Sequence, residues 1–149
     1  MLDRRQILTG LAALLLTAAP LRAEETVFYA PGGAALDGYD VVEYFHSGEA
    51  KRGTDKHVVM WKGVDWYFIS AANREAFEAN PRGYAPQFGG YCAYAVANGY
   101  TAATDPHAWH IVDGKLYLTH SPRADQLWQK DIAGNIARAA RHWPKVLGE

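Results

Sequence analysis

Two short turn signals, Lys62-Gly63 and Asp113-Gly114, each sit between runs of β-branched and aromatic residues, and they constrain the fold more than any other feature of the chain. The first separates His57-Val58-Val59-Met60-Trp61 from Val64-Asp65-Trp66-Tyr67-Phe68-Ile69. The second separates His107-Ala108-Trp109-His110-Ile111-Val112 from Lys115-Leu116-Tyr117-Leu118-Thr119. A two-residue link ending in glycine supplies the positive φ angles that return a strand on its neighbour with the native twist, so each unit reads as an antiparallel hairpin. The two hairpins are expected to join in one sheet of about four strands.

Helical signals fill the space between and around them. Asp40 caps a short helix through Val41, Val42, Glu43, Tyr44 and Phe45, ending at Gly48. Ser70 caps a helix over Ala71 to Ala79, stopped by Asn80-Pro81. Gly89-Gly90 ends the aromatic loop Tyr84 to Phe88, and a helix follows from Tyr91 to Asn98, stopped by Gly99. Ser121-Pro122 opens the last helical region, which runs to His142 with a break expected near Gly134. The order hairpin, helix, helix, hairpin, helix predicts an α+β fold, a small antiparallel sheet from two β-hairpins packed with about four helices.

The amino terminus reads as an export signal. Asp3-Arg4-Arg5-Gln6-Ile7-Leu8 precedes an apolar run too short to span a membrane, and the arginine pair matches the twin-arginine pattern, which a general secretory signal also contains by chance. Cleavage after Ala23 leaves residues 24–149 as one domain, periplasmic or otherwise exported, large enough to bury a core without staples. Removal of the leader takes the formal charge from −1 to −3, which argues against a nucleic-acid or anionic-membrane partner. All 19 aromatic residues lie in the mature part, a load suited to a dense core or a lined pocket.

Cys92 is the only cysteine. Its place in Gly89-Gly90-Tyr91-Cys92 puts it at a helix start, where the dipole and free N–H groups raise a thiol's reactivity, while the structural alternative is a small buried apolar side chain. No resolving cysteine exists, so an intramolecular dithiol cycle is excluded. Six histidines, His46, His57, His107, His110, His120 and His142, show no strong ligand spacing. His107 and His120, at opposite ends of the second hairpin's strands, are the pair best placed to join Cys92 as metal ligands. Tyr39, Asp40, Tyr91, Tyr94, Trp66 and Trp109 are candidates to line a pocket beside it, with core packing and, for Asp40, helix capping as the structural alternatives. Phosphate loops, serine nucleophile elbows, paired-histidine zinc motifs and haem attachment motifs are all missing.

The segment Lys62 to Ser70, continuing through Asn73-Arg74-Glu75-Ala76-Phe77-Glu78-Ala79-Asn80-Pro81 to Tyr84, resembles the YHS domain: a short hairpin ending in an aromatic pair, then a serine-capped helix closing on Phe, Asn-Pro and Tyr. The wider chain, from Gly38-Tyr39-Asp40 through Gly89-Gly90-Tyr91-Cys92 to Trp143-Pro144, is similar to exported bacterial YHS-domain proteins, some of them labelled selenoproteins. The metal-handling relatives carry cysteines where this chain has Glu43, Ile69 and Asn73, so their thiolate site is missing. What the resemblance implies is an exported, non-enzymatic binding or accessory protein handling a copper-like soft metal or a small ligand at Cys92, with a metal-handling or thiol partner. Two other readings stay open: a thiol-dependent redox enzyme or sensor with Cys92 as nucleophile, and a structural or ligand-binding module with Cys92 as packing.

Overall fold

The computed structural model describes residues 27–148, and the leader expected over residues 1–23 lies outside them. The fold is α+β, as the turn and capping signals imply. Strands β1 (Thr54–Trp61) and β2 (Val64–Phe68) form the first hairpin, and β3 (Trp109–Val112) and β4 (Lys115–Leu118) the second. Both turns are built as their residues dictate, with φ at +50° and +79° for Lys62 and Gly63 and at +51° and +72° for Asp113 and Gly114. Register runs from Trp61 opposite Val64 to Val58 opposite Tyr67, with an irregularity before Thr54 meets Phe68; in the second hairpin Val112 faces Lys115 and Trp109 faces Leu118.

The two hairpins stay separate two-stranded sheets and do not merge into one. Strand β4 is buried on both faces, and its Leu118 is bridged by Cys92 and not by the other hairpin. Leu116 and Leu118 point into the main core with Val41, Val42, Tyr44, Trp66, Phe68 and Phe77, while Tyr117 points the other way to Ala93 and Trp128. Strand alternation thus makes β4 a wedge between two apolar clusters, sealing them by its side chains and not by joining the other sheet edge to edge.

Helix α1 is Glu43–His46, α2 is Ala71–Ala79, α3 is Pro81–Tyr84, α4 is Ala93–Ala97, α5 is Pro122–Gln129 and α6 is Ile132–His142. The Ser70 hydroxyl accepts from the Asn73 N–H and fixes the start of α2 as its sequence demands. Three elements differ from expectation. Asn80-Pro81 ends α2 but also starts α3, because the Asn80 side chain accepts from Gly83 N–H and proline suits the first helical turn. The break in the last helical region falls at Lys130-Asp131, since Asp131 caps α6 through the N–H of Gly134, which lies inside the helix and is not its interruption. The helix after Gly89-Gly90 is shorter than Tyr91 to Asn98, which makes Cys92 its capping residue and places it one step outside the first turn.

Gly89 and Gly90 fix how the loop before α4 meets the core. Both have positive φ, the Gly89 carbonyl accepts from Tyr29 N–H, and a Cβ on Gly89 would collide with the Val27 carbonyl oxygen. Close approach of backbone to backbone is therefore what Gly89 provides, while a Cβ on Gly90 would press on the Leu36 and Pro86 side chains. Helix α4 then packs against α5 and α6.

Candidate functional site

Cys92 stands where four segments meet. Its own N–H donates to the Ala102 carbonyl (3.0 Å), and its backbone bridges to Leu118 of β4. The sulfur accepts two backbone N–H groups, that of Ala95 at 3.5 Å as the α4 cap and that of His120 at 3.2 Å from the turn between β4 and α5. Only 1% of the residue is exposed. Sulfur is a weak acceptor, yet two N–H groups at the ends of separate elements converge on it and find no better partner nearby.

The extended segment 101–105 forms a second wall. It is held by the Cys92 bond to Ala102, by the His120 Nδ1–H donating to the Ala103 carbonyl (2.9 Å), by Thr104 Oγ1 donating to the Gly90 carbonyl (3.1 Å) and by Asp105 N–H donating to the Thr119 carbonyl (2.9 Å). Between this segment, α4 and the start of α5 lies a cavity of about 350 Å³. Cys92 and Ala95 sit on its wall with Tyr94, Tyr100, Ala102 and Leu127, and His120, Ser121, Arg123 and Ala124 complete it. Its size and mixture of apolar surface with a few polar groups match a site for a small organic molecule. Tyr100 is 53% exposed, large and aromatic, and lies on this cavity with no core to enter.

Of the residues expected beside Cys92, the structure brings Tyr94 and His120 to this cavity. The others are placed elsewhere by packing. Tyr39 lies under the Arg52 guanidinium and edge-on to His107, Tyr91 packs against Tyr29 and Trp143, Trp109 against Tyr44, and Trp66 stacks on Phe77 in the main core. His107 precedes β3 and turns its ring to Tyr39, whereas the His120 ring is on Ala103; the shared hairpin aligns their backbones without bringing the rings into contact. Tyr100, Ala102, Arg123, Ala124 and Leu127 were not expected at the site. No spacing signal marks them, because the cavity closes only when segment 101–105 and α5 pack on α4.

Asp40 belongs to a second, buried constellation. With 0% exposure, its carboxylate accepts from Val42 N–H (2.9 Å), Ile69 N–H (2.8 Å) and the Asn73 amide (2.8 Å). The same Asn73 amide nitrogen donates to Glu43 Oε1 (2.7 Å), and Glu43 Oε2 accepts from Ser47 Oγ (2.7 Å) and Lys51 Nζ (2.9 Å). Burial alone would raise the Glu43 pKa, but the hydrogen bonds from Lys51, Ser47 and Asn73 outweigh it and bring it down to about 2. Glu43, Ile69 and Asn73 thus meet around Asp40. The carboxylate oxygens of Asp40 and Glu43 are already committed to N–H and O–H donors, and a soft metal finds no thiolate there. Among the described residues no group of three or more His, Cys, Asp or Glu side chains is placed to hold a metal ion.

Two of the remaining four histidines have structural partners: His46 bonds the Tyr84 hydroxyl, and His110 bonds Asp125 at 2.6 Å while stacking on Trp128. Among the described residues no helix is long and apolar enough to cross a membrane. Comparison with protein-family models, with curated proteins and with solved structures gives no match.

Proposed function

We propose that this chain is an exported binding protein of YHS type, whose working site is the Cys92 cavity and whose cargo is a small organic molecule held without covalent chemistry. The observation that carries this reading is the cavity itself: about 350 Å³ walled by Cys92, Tyr94, Tyr100, Ala102 and Leu127, with His120, Ser121 and Arg123 among its polar groups. The geometry favours the small-ligand reading over the copper-like one. A soft metal at Cys92 would find His120 as its one other strong donor on the cavity wall, and the sulfur already accepts two N–H groups. The nucleophile reading is disfavoured by the same burial, since a substrate must enter the cavity before it meets the sulfur.

The test uses the mature protein and the neutral fluorophore N-phenyl-1-naphthylamine. Saturable one-to-one binding is expected, and Ala124→Trp, which fills the cavity from α5, should weaken it at least tenfold, with circular dichroism confirming an unchanged fold. Non-saturable uptake, or equal binding by the filled variant, refutes the proposal.

A further inference from the structure

We infer that the ligand of the Cys92 cavity is an organic anion, an apolar body carrying one carboxylate or sulfonate group that pairs with Arg123. This rests on the cavity reading above and narrows it to a chemical class. The lining contains no acidic residue. Its one permanent charge is the Arg123 guanidinium, which is exposed in the first turn of α5 and makes no salt bridge or hydrogen bond among the described residues. The other arginines near acids are engaged: Arg52 with Asp37, Arg74 with Glu78 and Arg138 with Asp131.

Two of the remaining polar groups of the lining are already used within the fold. The Ser121 hydroxyl accepts from Ala124 N–H as the α5 cap, and the His120 Nδ1–H is used on Ala103. What is left for a ligand is an aromatic and aliphatic surface from Tyr94, Tyr100, Ala102 and Leu127 with neutral hydroxyl and imidazole groups, and a single planar, five-donor cation at its edge. A guanidinium beside an apolar wall recognises a carboxylate or sulfonate by paired N–H donors, and apolar cover over the pair strengthens it relative to open water. The chain's overall charge opposes this preference. At −3 the mature protein repels anions at long range, so any selectivity for them must arise locally at Arg123.

Two probes that differ only by a sulfonate separate the claims: 8-anilinonaphthalene-1-sulfonate and N-phenyl-1-naphthylamine, titrated into mature wild-type protein and Arg123→Gln. Loss of about fivefold in affinity for the sulfonate in R123Q, with the neutral probe unchanged, is the expected result. Equal loss for both probes, or no loss for either, overturns the anion assignment and leaves the cavity reading standing. If neither probe binds the wild type saturably, both fail together.

Discussion

The sulfur of Cys92 accepts the backbone N–H of His120 at 3.2 Å, joining the start of α4 to the turn that carries the chain from β4 into α5. One side chain thereby caps a short helix and pins the segment that forms the cavity's opposite wall. Sulfur chemistry and wall geometry are coupled at this residue.

Replacement of Cys92 tests that coupling. In Cys92→Ala both N–H groups lose their acceptor, and a cost of about 1–2 kcal/mol is expected in urea unfolding. Cys92→Ser retains an acceptor and a favourable capping residue, so it should lie within about 1 kcal/mol of the wild type. Equal destabilisation by both substitutions would show that the volume of the sulfur, not its two hydrogen bonds, is what the fold uses.

Burial also governs reactivity. With 1% of Cys92 exposed, alkylation by iodoacetamide is expected to be at least tenfold slower than for a free thiol under the same conditions, and slower again with the neutral probe bound. A rate equal to that of the free thiol would restore the nucleophile reading.

The Asp40, Asn73 and Glu43 network makes a pH-dependent contribution to stability. The folded-state pKa of Glu43 is about 2 against an ordinary 4.5, so the contribution is complete above the unfolded value and fades as pH falls from roughly 5 towards 2. Screening by water around the partly exposed Lys51 limits it to roughly 1–2 kcal/mol. Urea unfolding across this range should show a steeper acid loss for wild type than for Glu43→Gln, and parallel curves would contradict the assignment.

Gly89 should tolerate no side chain. Its φ of +62° and the collision of a new Cβ with the Val27 carbonyl predict that Gly89→Ala loses about 3 kcal/mol or more in thermal or urea unfolding. Gly114, also at positive φ but with open space around its Cβ position, should lose only about 1 kcal/mol in the same substitution. Similar losses at both positions would mean that backbone conformation alone, without the collision, sets the cost.

Much of the fold was legible because its signals are local. The Lys62-Gly63 and Asp113-Gly114 turns need only their own φ angles, and Ser70 needs only the N–H of Asn73, three residues on. The break between α5 and α6 falls at Asp131 and not at the conspicuous Gly134, because the aspartate that caps α6 is what ends one helix and starts the next. The site was less legible because its parts are distant in sequence. Asn73 reaches Asp40 and Glu43 across some thirty residues, and the His120 N–H reaches Cys92 across 28. Aromatic content promised a lined pocket, yet Trp66, Trp109 and Tyr91 were drawn into packing. The cavity kept Tyr94 and took Tyr100, which no pattern distinguished.

The most direct test of the account is a ¹H–¹⁵N correlation spectrum of the protein titrated with N-phenyl-1-naphthylamine. The amides of Cys92, Ala95, Ala102, His120 and Ala124 should shift together and saturate at one equivalent, while those of Val42 and Ile69 at the Asp40 network stay in place. Shifts centred on another surface, or a spectrum unmoved by the probe, would contradict the claim that the Cys92 cavity is where this protein does its work.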